Sequence, residues 1–106
     1  MKIVRHDTTT GTVRLVLTGD LDMATAGDLD EHVAAVLAGP PPGSLVVEAA
    51  GVEFCDSSGI HALLRSREAC RRRGVSFVVT EPVGITRRTL EIAGLLDVLT
   101  APSLPT

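Results

Sequence analysis

The hydrophobic repeat changes period along this chain, and that change limits the fold more than any other feature. Val13, Leu15 and Leu17 alternate with Arg14, Val16 and Thr18, the two-residue repeat of a strand that ends near Gly19. From Ala26 the spacing lengthens. Ala26, Leu29, Val33, Val36 and Leu37 recur every three or four residues, as on one face of a helix. Asp22 precedes them and is expected to cap that helix. Gly39-Pro40-Pro41-Pro42-Gly43 ends it, because proline lacks the N–H and clashes with the preceding turn.

The pattern then repeats. Leu45-Val46-Val47 opens a strand expected to run to about Ala49 and to be buried on both faces, like an inner parallel strand. Gly51 to Asp56 reads as a loop. Ile60, Leu63, Leu64 and Cys70 form the inner side of a helix from about Ser57 to Arg73, closed by Arg71-Arg72-Arg73-Gly74. Val75 to Val79 is a strand, and Glu81 to Gly84 a loop. Ile85, Leu90, Ile92 and Leu95 mark a shorter helix, and Asp97 to Leu99 a last edge strand. At the other end, Ile3 to His6 makes an antiparallel hairpin with the strand at Val13, through the turn-forming Asp7-Thr8-Thr9-Thr10-Gly11.

Helical crossovers of this length imply parallel neighbours. The predicted fold is a single α/β domain with a mixed, largely parallel sheet of four to five strands and three to four packed helices. It spans residues 1–101, with a loose tail over 102–106. In such a sheet the strand-to-helix loops emerge at one edge, so Asp20–Asp22, Val52–Ser57 and Glu81–Gly84 should lie together, where sites on open α/β sheets form.

Composition narrows the function. Phe54 and Phe77 are the only aromatics, so stacking platforms for single-stranded nucleic acid are nearly absent. The net charge of −3 carries no basic excess for a duplex. Cys55 and Cys70 form neither a CxxC pair nor a metal-ligand cluster and read as reduced, partly buried thiols. The chain begins without an apolar signal region and has no run of the ~20 apolar residues a membrane span needs. The expectation is a cytoplasmic protein without nucleic-acid or membrane partners.

Asp56-Ser57-Ser58-Gly59 carries the most chemistry. It stands where a strand hands over to a helix, at backbone N–H groups that favour negative charge. Catalysis is disfavoured. Cys55 replaces the first glycine of a G-x-S-x-G elbow, and His61 lies on the same helix as Ser58, poorly placed for a triad. There is no P-loop, and Asp56 would repel a resident phosphate. Asp20, Asp22 and Asp56 could converge, but capping accounts for Asp22 and Asp56, so no metal or cofactor is expected. Two readings of the serines stand on spacing alone. They cap the helix, or Ser58 is modified by another enzyme. On the helix Ser58, His61, Ala62, Arg65, Glu68 and Arg72 share a face opposite Ile60, Leu63 and Leu64, and a phosphoryl group there would bring a charge of about −1.5 to −2 without breaking the fold.

Gly19-Asp20-Leu21-Asp22, Leu45-Val46-Val47-Glu48 and Val52-Glu53-Phe54-Cys55-Asp56-Ser57-Ser58-Gly59-Ile60 together resemble the STAS domain, specifically the stand-alone bacterial anti-sigma factor antagonists. The resemblance covers about Val13 to Leu99. It implies a partner-switching module and not an enzyme. Its unphosphorylated form would bind an anti-sigma factor that is also a serine kinase, freeing a sigma factor. Phosphorylation of Ser58, with Ser57 the alternative, would end binding, and a serine phosphatase would restore it. Asp22, Asp56, Ser57, Ser58, Gly59, His61, Ala62 and Arg65 would form the partner-binding site, on a monomer or weak dimer. Glu48 and His61 depart from the residues common in that family. The alternative within the family is a non-switching structural subunit of a stress-signalling scaffold or lipid-transport complex.

Overall fold

A computed structural model describes residues 1–103. Strands β1 (Lys2–Asp7), β2 (Thr12–Leu21), β3 (Ser44–Cys55) and β4 (Ser76–Thr80) form one sheet in the order β1-β2-β3-β4. β1 and β2 pair antiparallel as the expected hairpin, and β2, β3 and β4 are parallel. Between and after them run α1 (Ala26–Ala38), α2 (Ser57–Arg72), α3 (Gly84–Ile92) and α4 (Leu96–Thr100). The mixed, largely parallel sheet with packed helices is the predicted class.

Burial follows the two periods. On β2, Val13, Leu15, Leu17 and Leu21 are buried, and on β4 so are Phe77 and Val79. They meet Leu29, Val33 and Val36 of α1, Leu63 and Cys70 of α2, Leu90 of α3 and Leu99 of α4 in one core. Full burial of side chains of this size stabilises by about 1.5–3 kcal/mol each.

β3 differs from its expectation in two ways. It is not buried on both faces. Leu45, Val47 and Ala49 are buried, while Val46 and Glu48 are half-buried and Ala50 exposed. The opposite face therefore stays open, and Arg14 of β2 pairs with Glu48 across it. Nor does β3 stop near Ala49: it continues to Cys55, and only Asp56 separates it from α2. The continuation is irregular. Val16 aligns with Glu48 and Thr18 with Gly51, then Gly19 with Val52 and Asp20 with Phe54, so β3 bulges twice against β2. At Gly51 a β-carbon would sit 2.7 Å from the Leu17 carbonyl oxygen, so the first bulge requires glycine. The bulges interrupt the alternation, which is why the sequence reads there as a loop.

The C-terminal third also departs from expectation. Residues 97–99 lie in α4, not in an edge strand. Leu99 fills the core, while Leu95 and Leu96 pack against it from the side, so the apolar residues are spaced for a helical turn. Ser103 takes the edge role: its N–H donates to the Phe77 carbonyl at 2.9 Å, and its hydroxyl receives the Phe77 N–H at 3.2 Å. Residues 104–106 of the expected tail lie outside the described residues. On α3 the buried residues are Thr86 and Leu90, while Ile85 and Ile92, two of the apolar residues that marked this helix, are 60 % and 78 % exposed.

Candidate functional site

β2 and β3 end side by side, and a hydrogen bond from the Asp56 N–H to the Leu21 carbonyl, 3.3 Å, joins their ends. α3 closes the other flank. β4 stops at Thr80, opposite Glu48, so the last seven residues of β3 have no strand partner on that side. The Thr86 hydroxyl of α3 donates to the Val52 carbonyl at 3.0 Å and takes the place of a ladder bond. Of the three segments expected as loops at one edge, Asp20–Asp22 and Val52–Ser57 meet at the start of α2, largely as the ends of β2 and β3, while Glu81–Gly84 leads from β4 into α3, which rests on Val52.

Asp56 is the N-cap of α2. Its backbone is extended, its carboxylate accepts the Gly59 N–H at 3.1 Å, and its carbonyl accepts the Ile60 N–H at 3.0 Å. Capping therefore falls to Asp56 and to neither serine. Ser57 is exposed and Ser58 half-buried. Among the described residues, neither serine hydroxyl has a hydrogen-bond partner. Gly59 is buried for a steric reason: a β-carbon would collide with the Leu21 carbonyl oxygen and stand 2.8 Å from Cys55 Sγ. The helix start thus sits directly on the end of β2. Burial pushes the Cys55 and Cys70 thiols up to about 11, so both stay protonated and unreactive at neutral pH.

The remaining predicted residues divide. His61 and Arg65 are exposed on the Ser58 stripe, and Arg65 is bound to Asp30 of α1 at 2.9 Å. Glu68 binds Arg71 at 2.6 Å and Arg72 at 3.3 Å, which pulls its carboxyl down to about 2. The arginine run is thus largely engaged with its own helix. Ala62 is a correction. It was expected to face outward but is fully buried, because α1 packs along that flank of α2. Asp22 is a second correction. It does not cap α1, whose N-cap is Thr25. Its carboxylate accepts the N–H groups of Ala24 and Thr25, at 3.0 and 3.2 Å, in a turn just before the helix.

Sequence reasoning missed the apolar surroundings of the site. Met23 beyond β2, Phe54 on β3, and Val83 and Ile85 beyond β4 are 83, 43, 49 and 60 % exposed, all toward the end of the sheet that bears Ser58. Four of the six large exposed apolar side chains among the described residues thus lie toward this end, Ile92 of α3 and Val98 of α4 being the others, and exposed apolar groups of this kind suit an interaction surface. Their signal was available in part. Met23 directly follows Gly19-Asp20-Leu21-Asp22 and Phe54 lies within the Val52 to Ile60 motif, but exposure cannot be read from residue type. Two surface hollows, about 340 Å³ against α3 and α4 and about 240 Å³ between α1 and α2, are lined by neither Asp56, Ser57 nor Ser58. Among the described residues no group of His, Cys, Asp and Glu is placed to hold a metal, and no helix is long and apolar enough to cross a membrane.

Known proteins share this arrangement. The family model described as "Mlab, STAS domain" matches residues 4–101. The anti-sigma-F factor antagonist RsfB of Mycobacterium tuberculosis is 33 % identical over 85 residues, covering 80 % of this chain and 68 % of that protein. The crystal structure of an anti-sigma factor antagonist from Mycobacterium paratuberculosis superposes with a TM-score of 0.74 at 30 % identity, over 94 % of this chain and 82 % of that one. The unphosphorylated form of the antagonist SpoIIAA gives 0.71 at 22 % identity, over 90 % and 83 %, and shares the fold.

Proposed function

The chain belongs to the STAS domain family, and on that premise we propose that it is an anti-sigma factor antagonist whose binding is switched at Ser58. In its unmodified form it binds an anti-sigma factor through the start of α2, where Ser57 is exposed and Ser58 half-buried, and the apolar groups toward the same end of the sheet. The anti-sigma factor is also a serine kinase. It transfers the γ-phosphoryl group of ATP to Ser58 Oγ; the hydroxyl proton leaves and ADP is released. A serine phosphatase then hydrolyses the phosphoserine with water, releasing inorganic phosphate and restoring the hydroxyl. The cycle runs in the cytoplasm, and ATP and its metal belong to the kinase. This chain supplies a surface and a substrate hydroxyl, not a catalytic centre.

One observation carries the reading. Asp56 alone caps α2, so the two serine hydroxyls are left without a structural duty at the head of the helix, Ser57 exposed and Ser58 half-buried. A phosphoryl group there is tolerated by the helix start but not by a tightly packed partner. The gathering of Met23, Phe54, Val83 and Ile85 supports a protein partner over a small substrate.

Incubation with the cognate kinase and ATP, followed by intact-mass measurement, tests the switch. One added phosphoryl group is expected, and none on Ser58→Ala. A full gain on Ser58→Ala moves the site to Ser57 or elsewhere. Titration calorimetry adds the consequence: Ser58→Asp should bind the anti-sigma factor at least tenfold more weakly than Ser58→Ala. Equal affinities would reject an electrostatic switch in favour of a constitutive structural subunit.

A further inference from the structure

We infer that His61 receives the phosphoryl group placed on Ser58, an inference that rests on the proposed modification and concerns its regulation. The added group carries a charge of about −1.5 to −2 and needs partners. Asp56 cannot be one, since it is itself a carboxylate and is committed to the Gly59 N–H. On a helix, residues three apart lie about 5–6 Å from each other between β-carbons, and His61 stands three residues beyond Ser58 and four beyond Ser57. It is exposed, and among the described residues its ring has no hydrogen-bond partner.

The competing cation is more remote. Arg65 lies seven residues from Ser58, about 10 Å along the axis, and its guanidinium is held by Asp30 of α1. Of the other ionisable groups toward this end of the sheet, Asp20 at the end of β2, Asp22 on the β2–α1 connection, Glu53 on β3, Asp56 at the cap of α2 and Glu81 beyond β4 repel the phosphoryl group; the cations, the Met1 amine and Lys2 beside β2 and Arg87 and Arg88 on α3, stand on other elements, Arg87 paired with Glu91. His61 is thus the one side chain of the stripe that can donate to the new oxygens without first breaking an ion pair. It is a positioning residue: it draws the phosphoryl group along α2, over the surface that the partner must cover, and so makes the modified state uniform.

Phosphoserine incorporated at position 58 during synthesis of the chain makes the test independent of any kinase. The phosphorus NMR signal is followed against pH in the parent sequence, His61→Leu and His61→Lys. A neighbouring cation favours the dianion, so the phosphoryl midpoint in the parent should lie about half a unit below that in His61→Leu, and His61→Lys should restore it. The His61 ring midpoint should rise by a similar amount, about half a unit, between the unmodified and phosphorylated chains. Equal phosphoryl midpoints in the parent and His61→Leu would overturn the inference, as would a shift that lysine fails to restore. Failure of the switch itself shows separately, as absence of phosphorylation by the kinase in the mass measurement.

Discussion

The two halves of β3 are built differently. Residues 44–48 pair with β2 on one side and β4 on the other, in register, with Leu45 and Val47 sealed in the core. Residues 49–55 pair only with β2, bulge twice, and rest their free edge on the Thr86 hydroxyl of α3. The first half is shaped by burial alone. The second gives up regular pairing, and in return the strand ends beside β2 with Asp56 aimed at the start of α2. Bulges commonly re-aim a chain next to a functional site, and here they bring the strand to the serines. One continuous strand thus joins the stable core to the surface proposed to meet a partner.

Substitutions can break this contrast. The largest effect is expected in the regular half. Leu45→Ala removes a fully buried side chain between two paired strands and should cost about 3 kcal/mol in urea unfolding. A loss under ~1 kcal/mol would mean that this half is no more rigid than the other. Gly59→Ala comes next. Its β-carbon would push α2 away from Leu21 and Cys55, costing about 2 kcal/mol and weakening anti-sigma factor binding beyond the stability loss. Binding unchanged by Gly59→Ala would show that the seating of α2 on β2 is irrelevant to the partner. Thr86→Val is the smallest and sharpens the comparison most. It leaves the Val52 carbonyl without its donor and should cost about 1 kcal/mol. Amide exchange should quicken over residues 49–55 while residues 44–48 stay protected. Uniform quickening along β3 would make the two halves one cooperative unit.

Much of this was legible from residue order. The two periods placed β2, α1, the beginning of β3, α2 and β4 close to their observed bounds, and Asp56 was recognisable as a cap from its position before an amphipathic run. The misreadings share a cause. Ala49 to Cys55 lost its alternation to the bulges. The short apolar cluster around Leu99 is spaced for either a strand or a turn of helix. Ala62 was assigned outward because small residues suit either side of a helix. None of these ambiguities is resolved within the window of residues that sets a local period.

Residue order by itself determined the types of β1, β2, α1, α2, β4 and α3, the parallel crossovers and the place of Asp56-Ser57-Ser58-Gly59 at the head of α2, because these follow from local spacing and backbone chemistry. Tertiary structure decided which face of the sheet is covered, how α3 replaces a missing strand along β3, and which apolar side chains are left exposed toward the end of the sheet that bears Ser58. Those depend on contacts between segments far apart in the chain. Burial is a property of the whole packing, and no stretch of sequence carries it alone.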